Sequence, residues 1–134
     1  MQTLEGVVGH RCPPLLRRIH RELADGGWGP EGGVLGVADD RLTQVHRRWA
    51  AEEDVPSTWV PLIEAGDGRY FVVDWADSRG PVRLLDSRTG RPLCESIVWE
   101  RPGLWAFLEA WFDGELERVV YGRRRARSRW SRRR

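Results

Sequence analysis

The three histidines are the residues best suited to acid–base or metal chemistry, and their spacing supports neither. His10, His20 and His46 form no HxH or HExxH pattern and lie in no His/Cys cluster. His20 and His46 each sit among arginines on a predicted helix, which favours a solvated helix face over a metal ligand or a base. The chain has no GxSxG, Walker loop or catalytic-cysteine context. The sequence therefore predicts no catalytic residue, no metal and no cofactor.

The two cysteines are also poor candidates for chemistry. Cys12 and Cys94 lie far apart, and neither belongs to a CxxC pair that would indicate zinc or thioredoxin-like redox chemistry. In a reducing cytoplasm we expect them to be packing residues rather than a disulfide.

A glycine-rich loop and an acidic hairpin offer two further candidate sites. The loop at 26–33 follows a predicted helix rather than a strand, and it lacks the Lys-Ser/Thr ending of a phosphate-binding loop. A structural turn is therefore favoured. Asp67 and Asp74 flank the hairpin and, with Glu64, could hold a cation. Aspartate in a turn needs no such role, because it satisfies backbone amides unaided.

Acidic residues are candidates for a binding surface rather than for a reaction. Residues 1–120 have 14 arginines against 20 acids, a net charge of −6. Such a surface complements a basic partner and steers its approach, and an ordinary solvated face is the alternative. Trp28 is either a plug that pins the glycine loop or an exposed contact, and the plug is favoured. The candidate partner-binding residues are Trp28, Glu31, Asp39, Asp40, Glu52, Glu53, Asp54 and Asp67.

Residues 121–134 form a separate arginine-rich tail. Eight of the 22 arginines lie there with no acid, and the chain has no lysine. The tail cannot bury a core, so we expect disorder. It could neutralise phosphates, or be an extension of GC-rich coding sequence, and the two interpretations weigh equally. Nucleic-acid binding as the main function would need a basic face on the body, and none is apparent. The candidate residues of the tail are Arg123, Arg124, Arg125, Arg127, Arg129 and Trp130, whose ring could stack on a base.

Hydropathy and turn signals predict helices, then strands, then a last helix. The predicted helices are 1–9, Pro13 to Gly27, a third from Asp39 or Asp40 to the acidic cluster near Glu52, and a last one from about Arg101 to Gly114 with a ragged continuation to Val120. The buried stripe of the third helix is predicted to hold Leu42, Val45 and Trp49. The predicted extended segments are 34–37, 59–63, 70–75, 82–85 and 93–98. Tight turns between strands indicate antiparallel pairing, so the fold class is α+β, with an antiparallel sheet of about four strands flanked by helices. The spacing of Trp59, Trp75, Trp105 and Trp111 is core-like, and we expect these side chains to be structural.

Length and hydropathy bound the class of protein. The 134 residues suit one domain, 1–120, plus the tail. No run of 18 apolar residues occurs, so no membrane-spanning helix is expected. The first twenty residues hold several charged side chains and no apolar stretch typical of a secretory signal. We therefore expect a cytoplasmic protein with no membrane partner.

The order of motifs resembles the SUKH superfamily, the Smi-one/Knr-four type of domain, over about residues 4–117. Its Leu-Pro, helix, Asn-Gly-Gly pattern is similar to Pro13-Pro14 followed by residues 24–30, leading into Val34-Leu35-Gly36-Val37. Its strand–turn–strand ending in Asp resembles residues 59–74, and Gly80-Pro81-Val82 resembles its next strand. Leu104-Trp105-Ala106-Phe107-Leu108 resembles its closing helix. Cys12 stands where the family usually has leucine, the first helix is shorter, and the tail lies outside the pattern.

The resemblance implies binding rather than catalysis. Bacterial members of the family are immunity proteins that neutralise a cognate toxin, often a nuclease, and fungal relatives are signalling scaffolds. The acidic body suits an inhibitor of a basic nuclease. The alternatives are a nucleic-acid-associated protein acting through the tail, a regulatory scaffold, and a small enzyme whose site the sequence does not reveal.

Overall fold

The structure, a computed structural model, describes residues 2–23, 26–27, 40–52 and 54–121. The elements within these ranges are α1 (Gln2–Val8), α2 (Pro14–Arg18), a π-helical turn (Ile19–Leu23), α3 (Asp40–Glu52), β1 (Trp59–Gly66), β2 (Arg69–Asp74), β3 (Val82–Asp86), two 3-10 turns (Ser87–Thr89 and Leu93–Glu95), β4 (Ile97–Arg101), α4 (Leu104–Phe112) and α5 (Glu115–Tyr121). The α+β class is confirmed. The predicted segment 34–37, residues 28–33 of the glycine loop and tail residues 122–134 lie outside the described residues.

The four strands form one antiparallel sheet in the order β1-β2-β3-β4, so each strand pairs with the next along the chain. The β1–β2 hairpin turns at Gly66, Asp67 and Gly68, all with positive φ. Glycine and aspartate tolerate this backbone region better than most residues. The hairpin predicted from these three residues is therefore confirmed.

Both faces of the sheet carry apolar side chains, because alternate residues of each strand point to opposite faces. Phe71 pairs with Leu84 on one face, and Tyr70 pairs with Leu85 on the other. The first face packs against α1, α2, α4 and α5, which contribute Leu4, Val8, Leu16, Leu104, Phe107, Ala110, Leu116 and Val120. The second face packs against Val45 and Trp49 of α3. The sheet is thus covered by helices on both faces.

The segment between β3 and α4 differs from the prediction of a strand at 93–98. Leu93–Glu95 is a 3-10 turn, and β4 covers Ile97–Arg101. The buried Ser96 hydroxyl donates to the carbonyl oxygens of Arg91 and Pro92 (3.2 and 2.9 Å), and these local bonds fold the chain into a turn instead of a strand. Because Arg101 pairs with Val82 in the sheet, α4 begins at Leu104 and not at Arg101.

His46 also departs from its predicted place on a solvated helix face. Its side chain is 6% exposed, and Nε2 lies 2.8 Å from the carbonyl oxygen of Ser57. His46 follows Leu42 by one helical turn, so it shares the buried side of α3. The histidine links α3 to the segment before β1. His20 is partly buried as well.

Polar contacts dock α5 against the sheet. Arg69 Nη1 donates to the carbonyl oxygen of Val120, near the end of α5. At the start of α5, a Glu115 carboxylate oxygen accepts hydrogen bonds from Trp99 Nε1 (2.9 Å) and from Arg101 Nη2. Burial alone would raise the pKa of Glu115, but the bonds from Trp99 and Arg101 lower it below its ordinary value. These contacts fix both ends of α5.

Candidate functional site

The described acidic candidates are exposed but have different neighbours. Glu52 and Asp54 are exposed near the end of α3, and Asp54 is close enough to Cys94 to help raise the pKa of its thiol, after the larger effect of burial. The Asp67 side chain is 73% exposed and lies 3.8 Å from Arg69. Trp28, Glu31, Asp39, Glu53 and the side chain of Asp40 lie outside the described residues. No contact in the described part of the chain joins Asp67 to Glu52 or Asp54.

Helix α4 presents an aromatic and acidic face to solvent. Leu104, Phe107 and Ala110 are buried, so the opposite side of a 3.6-residue helix must face outward. That side holds Trp105, Glu109, Phe112 and Asp113, which we call the α4 outer face; all four are exposed. The expectation that Trp105 is structural is therefore wrong.

The two aromatic side chains of the α4 outer face are far more exposed than buried rings are. Trp105 is 66% exposed and Phe112 is 50% exposed. They are seven residues apart, and two helical turns place them on nearly the same line along the helix. The ring of Phe112 stacks on that of Trp111 at 4.7 Å between centroids. Of the other tryptophans expected to be structural, Trp75 is buried, and Trp59 and Trp111 are half-buried.

The charge on this face is negative. Glu109 and Asp113 are exposed, neither forms an ion pair with another described residue, and the sequence of α4 contains no arginine. Aromatic rings beside carboxylates combine apolar contact area with attraction for cations. This combination suits recognition of a basic partner.

A second candidate surface is a pocket of about 440 Å³ beside α2. Four arginines line it, Arg11, Arg17, Arg18 and Arg21, opposite the turn that follows β2, where Trp75, Ala76 and Ser78 complete the wall. We call it the arginine pocket. None of the described lining residues is acidic. The body therefore has a basic concave surface although its net charge is negative, which the sequence did not reveal.

Local contacts connect the chain segments that line the arginine pocket. Pro14 begins α2 and favours the helical φ of its first turn. Gly80 packs so closely that a β-carbon there would lie 3.2 Å from Cβ of Pro13. The Cys12 amide donates to a Glu5 carboxylate oxygen (2.9 Å). These contacts join α1, α2 and the turn after β2 into one rim.

Cys12 lies in this pocket but is not a reactive thiol. It is 2% exposed, and burial, followed by the nearby Glu5 carboxylate, raises its pKa to about 12. A nucleophilic cysteine needs the opposite shift, because the thiolate is the reactive form. Cys12 is not disulfide-bonded, nor is Cys94. The expectation that Cys12 is a packing residue is confirmed by its burial.

Two further searches concern metals and membranes. Among the described residues, no group of three or more histidine, cysteine, aspartate or glutamate side chains is placed to hold a metal ion. Within the same part of the chain, no helix is both long and apolar enough to cross a bilayer.

Comparison with known proteins identifies no relative: no family model, no curated protein and no solved structure matches the chain. The resemblance to the SUKH superfamily therefore remains a prediction.

Proposed function

We propose that this protein is a non-catalytic protein-binding domain that neutralises a basic partner, such as a toxin nuclease domain, and that the α4 outer face contacts it. The observation that carries the proposal is the 66% exposure of Trp105 on a helix whose other side is fully packed. Tryptophan is enriched among the residues that dominate binding energy at protein interfaces.

The charge of the α4 outer face specifies the chemistry of the partner. Glu109 and Asp113 lie beside Trp105 and Phe112 with no arginine on the helix. An acidic rim around apolar anchors attracts a positively charged surface and repels an acidic one. Enzymes that act on nucleic acid present such positively charged surfaces to phosphate.

The rest of the described structure is consistent with binding rather than catalysis. Several of its carboxylates pair with arginines, such as Glu64 with Arg41 (2.5 Å) and Asp74 with Arg83 (3.0 Å). These pairs join neighbouring elements of the fold, and none of their four residues lines the arginine pocket. The resemblance to bacterial immunity proteins points to the same function.

The test uses the product of the neighbouring reading frame as the partner. The full chain should bind that product and relieve its toxicity on co-expression. Trp105→Ala should weaken binding by about 30-fold, the effect of a 2 kcal/mol hot spot, without lowering the melting temperature, because the ring is exposed. Val98→Ala, which truncates another half-exposed apolar side chain, is the matched control and should leave affinity unchanged.

Two results would contradict this function. A neighbouring product that is neither toxic nor bound removes the immunity role. Unchanged affinity of Trp105→Ala, with binding intact, moves the interface away from α4 and leaves a scaffold role as the alternative.

The arginine tail supports a second candidate function, nucleic-acid binding, through its eight arginines without an acid. Replacing Arg123, Arg124 and Arg125 with glutamine should then reduce electrophoretic retardation of RNA or DNA, and the salt dependence of binding should become shallower. Retardation that does not change would exclude the tail as a nucleic-acid site.

A further inference from the structure

The arginine pocket contains more positive charge than the described residues around it neutralise. Among its four arginines, only Arg18 and Arg21 have an ion-pair partner in the described residues, and they share the same one, Glu22, at 3.7 and 3.4 Å. Arg11 and Arg17 make no ion pair there. Among the described residues, one carboxylate therefore pairs with two of the four guanidinium groups.

The described groups within the pocket do not supply a compensating negative charge. The Glu5 carboxylate accepts a hydrogen bond from the Cys12 amide, and the described lining contains no acid. The Cys12 thiol stays protonated at neutral pH because its pKa is about 12. Clustered like charges destabilise a fold, so an anion bound among these arginines would stabilise it.

The arrangement differs from that of other arginines on the body. Arg79 and Arg88 each pair with the aspartate two residues before them, Asp77 and Asp86, at 2.7 and 2.8 Å. Those pairs are local, as are the pairs of Arg18 and Arg21 with Glu22, but Arg11 and Arg17 have no such partner among the described residues. In the pocket, three arginines from one short helical segment and one from the preceding loop instead converge on a concavity whose opposite wall belongs to another part of the chain.

We propose that the arginine pocket binds a small ligand that bears two or more phosphate groups. Guanidinium groups bind phosphate oxygens in a bidentate manner, and four of them exceed what one phosphate needs. The volume of about 440 Å³ falls within the range of small-molecule sites. Trp75 gives the pocket an apolar wall, and the Ser78 hydroxyl adds a hydrogen-bond donor to its lining. This site is independent of the protein partner proposed for α4.

Inorganic triphosphate added to the full-length protein tests the proposal. At saturation it should raise the melting temperature by about 5 °C, whereas sodium sulfate at the same ionic strength should have a much smaller effect. In ¹H–¹⁵N spectra, the Ala76 and Ser78 amide signals should shift on titration. These residues lie on the wall of the pocket opposite the arginines and far in sequence from the tail.

Variants separate the pocket from the arginine-rich tail, which also attracts phosphate. The double substitution Arg17→Gln and Arg21→Gln should weaken triphosphate binding at least tenfold at the pocket signals. Arg91→Gln removes an exposed arginine outside the pocket and should leave them unchanged. Ser78→Asp places a carboxylate in the wall, so it should raise the melting temperature without ligand and abolish the ligand-induced rise.

Three outcomes would overturn the proposal. The first is that millimolar triphosphate shifts neither the melting temperature nor the pocket signals. The second is that triphosphate still raises the melting temperature of the double variant, because the tail would then be the binding site. The third is that a single-stranded oligonucleotide shifts Ala76 and Ser78 while triphosphate does not, which would make the pocket part of a nucleic-acid surface.

Discussion

The substitution Tyr70→Phe tests whether a hydrogen-bonded network holds α3 on the sheet. Tyr70 Oη donates to Glu64 Oε2 and accepts from Arg48 Nη2, both at 3.1 Å. Its ring packs edge-on against Trp49, with centroids 5.2 Å apart. Phenylalanine keeps this ring contact and removes only the hydroxyl, so the loss of stability reports on the two hydrogen bonds.

Tyr70→Phe should lower the free energy of unfolding by about 1–2 kcal/mol. A hydrogen bond to a charged group contributes about 1.5–3 kcal/mol when it is buried, and both partners of Tyr70 are charged. The Glu64 side chain is about one third exposed and Arg48 is exposed, so solvent screens both interactions and reduces their sum. Arg41 also continues to bind Glu64, with contacts of 3.1 and 2.5 Å.

The loss of stability caused by Tyr70→Phe should depend on pH. Hydrogen bonds from Arg41 first, and then from Tyr70, lower the pKa of Glu64 below its ordinary value of 4.5. A carboxylate with a lowered pKa stabilises the fold above that ordinary value and loses this contribution as pH falls. Tyr70→Phe removes part of the contribution. Its destabilisation should therefore be largest near pH 7 and smaller near pH 3.

Urea unfolding followed by tryptophan fluorescence measures this difference at both pH values, with the m-value as a check that the unfolding transition is comparable. Glu64→Gln provides the coupling control, since Tyr70→Phe should cost less in that background. A loss below about 0.3 kcal/mol at neutral pH, or an equal loss at both pH values, would refute the assignment of stability to this network.

Three further predictions concern the two thiols, the turn at Gly68 and the packing of α5 on the sheet. An aromatic disulfide reagent should modify Cys94 in the native protein and Cys12 only after unfolding, because Cys12 is 2% exposed; modification of both thiols in the native state would contradict this. Gly68→Ala should lower the free energy of unfolding by more than about 1 kcal/mol, because φ is +75° and the new β-carbon would collide with Oγ of Ser87. Adding Ser87→Ala should recover part of this loss, and no recovery would count against the collision. Arg69→Ala should lower hydrogen-exchange protection of α5 more than that of the sheet, and a uniform decrease would show that Arg69 does not act through α5.

Much of the fold could be predicted from the sequence, because local patterns of apolar segments and turn residues determine most of its helices and strands. The strands at 59–63, 70–75 and 82–85 all lie within or beside observed strands, since apolar segments separated by glycine-rich turns leave few alternative pairings. The stripe Leu42, Val45 and Trp49 also packs as expected. The predicted boundaries of the strand at 93–98 are wrong because the Ser96 side chain competes with the sheet for backbone partners. Hydropathy does not detect that competition.

The candidate surfaces were harder to predict because they depend on which elements meet. The apolar positions of α4 form a stripe too wide for one buried face, and only packing against the sheet determines that Phe107 is inside and Trp105 outside. Arg17 and Arg21 are four residues apart, so helical spacing places them on one face of a helix. That this face lines a pocket together with Ser78, more than fifty residues later in the chain, has no sequence signal.

Net charge was a poor guide for the same reason. The value of −6 for residues 1–120 counts every carboxylate, but a carboxylate that pairs with an adjacent arginine presents little field to a partner. Asp77 and Asp86 illustrate this: the arginines that bind them, Arg79 and Arg88, lower their pKa values to about 2. A partner instead meets the charges that have no ion-pair partner among the described residues, such as Glu109 and Asp113 on α4 and Arg11 and Arg17 at the arginine pocket. The two proposals, a basic protein at α4 and a phosphorylated ligand at the arginine pocket, therefore concern different surfaces of one body.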